Sequence, residues 1–187
     1  MDALLLSFGV IFVAELGDKS QLMALAFAAR YNALPVLAGI TIATAVVHAI
    51  SVVVGASVGA ALPTDVISVV AGVAFIGFGV WTLRGDSLSA EEAAKAERAN
   101  RSAVMAASVA FFLAELGDKT MLATVTLATT EGAFGTWVGS TLGMVAADAL
   151  AIVLGSQLGA RLPERAIRIG AAISFFVFGA ILLIEGL

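Results

Sequence analysis

The sequence predicts an all-α, polytopic membrane protein of six transmembrane helices, built as two inverted three-helix repeats. Three observations carry this. Hydrophobic residues make up 60% of the chain and charged residues 13%, with a mean hydropathy of +1.05, whereas a soluble domain carries roughly a quarter charged residues. Apolar segments run at about 3–29, 34–62, 66–83, 103–129, 133–160 and 166–184, each near the roughly 20 residues that cross a bilayer as a helix. The two halves also repeat each other at an offset of 100 without a gap.

The first segment opens with Met1-Asp2-Ala3, which lacks a basic leader, and is interrupted by Glu15 and Asp18. It is therefore expected to stay in the mature chain as a helix and not to be cleaved as a signal peptide. Loop chemistry frames the second segment, with "RYNALP" before it and "LPTD" after it; "LPER" stands in the matching later place. Between the halves, "RGDSLSAEEAAKAERANR" mixes charges with alanine and reads as a short, partly helical cytosolic linker. The predicted organisation is a first three-helix repeat over 1–84, a cytoplasmic linker over 85–101 and a second three-helix repeat over 102–187.

The register of the repeat is set by Glu15/Glu115, Gly17/Gly117, Asp18/Asp118, Lys19/Lys119, Gly55/Gly155, Gly59/Gly159, Pro63/Pro163, Phe75/Phe175, Phe78/Phe178 and Gly79/Gly179. Three spans per half is an odd number, so the second copy enters the membrane from the opposite side, the inverted arrangement common in secondary transporters. Basic residues fall in the loops after the first, third and fifth segments: Arg30; Arg84, Lys95, Arg98 and Arg101; Arg161 and Arg165. The opposite side carries only Asp2, Asp65, Glu131 and Glu185. The positive-inside rule then places both termini outside and the linker in the cytoplasm. Trp81 and Trp137 are expected at the membrane interfaces.

The chain has no cysteine. Disulfides and thiolate metal sites are excluded, so any bound metal relies on oxygen donors and at most the single His48. The basic residues form no aromatic-interleaved patch, which argues against a nucleic-acid partner. Within the apolar first segment stands "AELGDKSQL", and "AELGDKTML" stands in its repeat mate. Charges in hydrocarbon cost several kcal/mol and need an ion, a partner or water to compensate them. Glu15 lies about 18 Å into its segment at 1.5 Å per residue, near the middle of a bilayer core of roughly 30 Å.

An inverted repeat can bring two such motifs face to face, so Glu15, Asp18, Glu115 and Asp118 are candidate metal ligands. Glu and Asp at i and i+3 are expected to share one helical face, and Lys19 and Lys119 to pair with the Glu four residues earlier. Four carboxylates and two ammonium groups leave two net negative charges, which one divalent cation balances. The hydroxyls of Ser20 and Thr120 and the amide of Gln21 are candidate further ligands, a hard oxygen set suited to Ca²⁺, Mn²⁺ or Mg²⁺. Gly17 and Gly117 weaken the helix between the acids. Protons are the natural replacement when the ion leaves, which predicts a divalent cation/proton exchanger. Lys19 and Lys119 serve either as structural counter-ions or as gating groups. His48 and Asp148, matched at the same offset, are candidate proton-coupling or gating residues, with ion ligation or plain packing as further roles for His48.

The two copies, Glu15-Leu16-Gly17-Asp18-Lys19-Ser20 and Glu115-Leu116-Gly117-Asp118-Lys119-Thr120, resemble the Glu-x-Gly-Asp-(Lys/Arg)-(Ser/Thr) signature of the GDT-type Mn²⁺/Ca²⁺ transporters. The resemblance covers essentially the whole chain. It implies cation/proton exchange with the motif acids as ion ligands, Mn²⁺ or Ca²⁺ as the transported ion, and no cofactor or catalytic residue. The chain looks like a compact prokaryotic form, which implies a bacterial inner membrane and export driven by the inward proton gradient. Two readings from other classes are weighed beside it. An intramembrane enzyme acting on lipid phosphate needs a phosphate clamp, and no arginine lies at the midplane. A passive channel would use the same acids without an occluded state.

Overall fold

The structure, a computed structural model, describes residues 2–84, 102–158 and 164–187. The predicted linker over 85–101 lies outside the described residues, as do Gly159, Arg161 and Pro163. The described residues form eight helices: α1 (Ala3–Glu15), α2 (Lys19–Ala28), α3 (Ala33–Ala61), α4 (Thr64–Arg84), α5 (Ala103–Glu115), α6 (Lys119–Thr130), α7 (Ala133–Leu158) and α8 (Glu164–Gly186). Eight replace the six expected because the first segment of each half is broken in two. The break falls at Gly17 (φ 76°) and Gly117 (φ 79°), where a left-handed backbone ends one helix before the next begins.

Helix starts follow local chemistry. Asp2 caps α1 by accepting from the Leu4 N–H at 3.2 Å, and Ser102, exactly one repeat later, caps α5 by accepting from the Met105 N–H at 3.3 Å. Pro35 sits in the first turn of α3, where no intrahelical donor is lost, and Pro63 separates α3 from α4. Among the described residues, three stretches are long and apolar enough to cross a membrane: Ala33–Ala61, Asp65–Arg84 and Ala133–Gly155. Leu5, Val53, Val73, Val153, Ile173 and Ile184 point outward and exposed, an apolar surface suited to lipid and unsuited to water.

The halves interlock. Helix α1 packs on α7 and α5 packs on α3, while α4 and α8 pair with each other. Each of the two buried apolar clusters draws on both halves. Met23, Phe27, Val36 and Ile40 meet Ala107 and Phe111 in one, and Ile11, Phe75 and Phe78 meet Leu127, Met144 and Phe175 in the other. The contacts are reciprocal at the repeat offset. Phe75 meets Phe175 in a tilted arrangement with ring centroids 5.8 Å apart, Phe178 at 4.7 Å, and Phe78 meets Phe175 at 6.0 Å.

Lipid tails are as apolar as leucine, so helix association here rests on close packing and not on expulsion of water. Glycines permit it. A side chain at Gly39 would meet the Val104 carbonyl oxygen at 2.6 Å, and one at Gly143 the Phe8 carbonyl oxygen at 2.6 Å. Gly139 lies against the Leu4 carbonyl in the same way. Trp137 donates its indole N–H to the Ala45 carbonyl oxygen at 2.9 Å, tying α7 to α3.

Gly139→Val should therefore lower the melting temperature of the detergent-purified protein by several degrees, since overpacking costs about 1–3 kcal/mol. Gly9→Ala, where nothing lies within 4 Å, should leave it nearly unchanged.

Candidate metal centre

The two broken helices deliver their acids at the break. Glu15 is the last residue of α1 and Asp18 stands at the N-cap of α2; Glu115 and Asp118 repeat this between α5 and α6. The elbow is closed by the Asp18 N–H donating to the Glu15 carbonyl at 3.1 Å and the Asp118 N–H to the Glu115 carbonyl at 3.2 Å. The expectation of one shared helical face is thus corrected. Glu and Asp are brought together by a glycine turn, and each elbow also aims the positive end of a helix dipole at the acids.

All four acids are buried, none more than 3% exposed. One carboxylate oxygen from each of Glu15, Glu115 and Asp118 lies within 4.8 Å of the others. Asp18 stands outside that group. The hydroxyl of Ser20 donates to Glu15 Oε2, and that of Thr120 donates to Glu115 Oε2 at 3.1 Å. These bonds hold each Glu by one oxygen, while Glu15 Oε1 and Glu115 Oε1 have no hydrogen-bond partner among the described residues. Ser20 and Thr120 thus hold the acids, and two buried oxygens are left for another occupant.

The lysines pair across the halves. Lys119 Nζ binds Asp18 Oδ1, and Lys19 Nζ lies 3.3 Å from Asp118 Oδ1. The expected pairing of each lysine with its own Glu is corrected: it presumed a continuous helix, and the glycine break removes the i to i+4 geometry. At 4.8 Å two ionised carboxylates repel by about 3 kcal/mol even at an effective dielectric constant of about 20. Two lysines against four motif acids leave two negative charges, even with Lys119 acting on Glu15 as well as on Asp18, and a divalent cation or two protons would balance them.

The profile of the family described as divalent cation/proton antiporter GDT1 matches residues 3–90 and 103–187. The chain belongs to this family. It is a divalent cation/proton antiporter integral to a membrane, a transporter and not an enzyme. It is 35% identical to a candidate manganese exporter of Vibrio cholerae over 90% of this chain and 84% of that protein. It is 33% identical to the chloroplastic protein PAM71 of Arabidopsis thaliana, over 96% of this chain and 56% of that protein. A GDT1-like protein of Synechocystis is 30% identical, with 92% of each chain covered. No solved structure matches the chain.

In this GDT1-family member the pair His48 and Asp148 divides. Asp148 is fully buried on α7, and its charge acts on Glu15 and Glu115 and feels that of Asp18. Both of its oxygens lack a hydrogen-bond partner among the described residues. His48 is equally buried on α3, and neither of its ring nitrogens has a partner. Burial alone acts on it, with no charged neighbour among the described residues. Of the pair, only Asp148 joins the acids electrostatically.

Gln21 also stands differently from the expected ligand. Its Oε1 accepts from the Gly17 N–H at 2.8 Å, and its Nε2 donates to the Ala147 carbonyl at 2.9 Å. At the matching position Met121 Sδ accepts from the Gly117 N–H at 3.1 Å. The role of Met121 escaped the sequence reading, because a thioether beside a hard oxygen site gives no motif. Alignment of the two copies at position 21/121 was the available signal.

The lysine pairs differ in burial, with the Lys119 side chain 4% exposed and that of Lys19 15%. Lys119→Gln should destabilise the detergent-purified protein by about 3 kcal/mol, the cost of stripping one partner from a buried pair. Lys19→Gln should cost clearly less; thermal denaturation of the two variants side by side checks the order.

Proposed function

We propose that the chain exports Mn²⁺ or Ca²⁺ from the cytoplasm in exchange for protons, by alternating access around Glu15, Glu115 and Asp118, in a bacterial inner membrane with both termini outside. The observation that carries this is the buried trio of carboxylates, two of whose members keep an oxygen without a hydrogen-bond partner. Hard oxygen donors in a flexible set suit Ca²⁺ and Mn²⁺. The V. cholerae relative, named for manganese export, favours Mn²⁺ and the outward direction.

Asp18 completes the site when Lys119 releases it. The two cross-half lysines act as resident cations, occupying Asp18 and Asp118 when the metal has left, while protons neutralise the glutamates. Asp148, a buried acid of α7 outside the two motif copies, takes part in the proton exchange. Each half, 1–84 and 102–187, is one inverted repeat joined by the linker 85–101, with α1–α2 and α5–α6 each crossing as one broken span; reciprocal pairs such as Phe75/Phe178 and Phe78/Phe175 support the two-fold relation.

We propose that the halves also stand in different states, as alternating access requires. A side chain at Gly55 on α3 would meet the Val125 carbonyl oxygen and Ala128 on α6, so backbone lies against backbone. At its repeat mate Gly155 on α7 the nearest atoms are those of the Leu25 side chain of α2, beside a cavity of about 340 Å³ lined by Ala28, Ala29, Ala33, Ile152 and Val153. That cavity borders the Arg30 loop, the cytoplasmic side by the distribution of basic residues. We read the state as closed outside and loosened inside.

In proteoliposomes, a Mn²⁺ or Ca²⁺ gradient should drive protons the opposite way. Glu115→Gln or Asp118→Asn should abolish that flux, at least a hundredfold, in a protein that still folds. Metal flux without proton counter-movement would make the chain a channel and overturn the exchange. Gly155→Val, accommodated by the mobile Leu25 side chain, should keep the fold and metal binding yet stop turnover, because α7 can no longer close on α2. Undiminished transport in that variant would remove the gating role of this interface.

A further inference from the structure

Position 21/121 is where the two motif copies part company, and the difference reaches across the molecule. Both residues accept a hydrogen bond from the glycine N–H of their own elbow, Gln21 with Oε1 at 2.8 Å and Met121 with Sδ at 3.1 Å. Only Gln21 has a donor left over. It spends that donor on the Ala147 carbonyl of α7 at 2.9 Å, one residue before Asp148. Gln21 is 5% exposed and its bond to Ala147 is buried, where a hydrogen bond holds its partners in register.

The mate of Ala147 is Val47, and the mate of Asp148 is His48. A thioether cannot donate, so Met121 offers nothing to the Val47 carbonyl. The half with the cross-link has the acid, and that acid acts electrostatically on the motif glutamates. The half without it has an imidazole that faces no charge among the described residues. Asp148 itself has no hydrogen bond to fix its carboxylate. Its place is therefore set by the α7 backbone that carries it, and Gln21 clamps that backbone to the elbow between Glu15 and Asp18.

We infer that Gln21 is a positioning residue, not an ion ligand: its carboxamide ties the α1–α2 elbow to α7 beside Asp148 and so holds Asp148 at the motif acids as a fifth carboxylate of the site. This rests on the ion site proposed above. It assigns the two motif copies unequal tasks, since the α5–α6 elbow has no such tie through Met121.

The test is equilibrium binding of Mn²⁺, and in parallel Ca²⁺, to the purified full chain. Gln21→Met copies the repeat mate: it keeps an acceptor for the Gly17 N–H and removes only the donor to Ala147. It should weaken binding about tenfold, or about 1.4 kcal/mol, with the melting temperature little changed. Asp148→Asn should weaken binding to a similar degree, and Gln21→Met added to Asp148→Asn should weaken it no further, the signature of two residues acting through one contact. If Gln21→Met does not fold, Gln21→Leu, which lacks both hydrogen bonds, should reproduce the loss and the same non-additivity. Unchanged affinity in the Gln21 variant overturns the inference while leaving the ion site standing. Full additivity with Asp148→Asn overturns it too, in favour of Gln21 touching the ion directly. A wild-type chain that binds neither metal removes the ion site itself.

Discussion

Charge buried in an apolar interior has to be answered by charge, and the rest of this structure follows from how that is done. Four motif acids lie out of contact with solvent, and the chain supplies two lysines against them, each lent by the opposite half. A lysine pairing within its own helix would have left each half electrostatically self-contained. The crossed pairs instead make the halves depend on each other, because separating them would expose two buried carboxylates without a cation. This interdependence matches the interlocked packing, in which α1 lies on α7 and α5 on α3.

The glycine break is what permits the crossing. A continuous helix through residues 3–28 would carry Glu15, Asp18 and Lys19 around its own surface at helical spacing. With Gly17 at φ 76° and Gly117 at φ 79°, one helix stops and another starts, so the acids end one helix and cap the next. No side chain lies within 4 Å of the place a Cβ would occupy at Gly117. Glycine is needed there for its backbone conformation alone, in contrast to Gly39 and Gly143, where it is needed for room. The same residue type thus answers two different physical demands in one chain.

Much of this was legible in the sequence. Composition and the six apolar segments gave the helical membrane class, and the duplicated Glu-Leu-Gly-Asp-Lys text pointed to the acids that the structure brings together. What could not be read was direction. Periodicity treats residues 3–29 as one helix, and the backbone of a single glycine decides otherwise; once it does, the partner of Lys119 changes from Glu115 to Asp18. Asp148 and His48 looked equivalent by register, and only the three-dimensional neighbourhood, with acids about Asp148 and none about His48, separates them. Gln21 was read by its donor chemistry as a ligand, since sequence does not reveal which hydrogen bonds an amide has already made.

A duplicated chain begins with equal halves, and an exchanger needs them unequal at any one moment. Two kinds of inequality are present. One is conformational: Gly55 lies against the α6 backbone while the atoms nearest Gly155 are those of the Leu25 side chain, with the same residue at both positions although Leu25 and its mate Val125 differ. The other is written in the residues, Gln21 against Met121 and Asp148 against His48, and cannot be exchanged. A reversible asymmetry suits the alternation of access, whereas a permanent one suits the chemistry at the centre, where a single site has to bind one ion in the same way from either side. The repeat therefore diverges at its shared centre, around Asp148, and stays alike at Gly55 and Gly155, where the halves take turns.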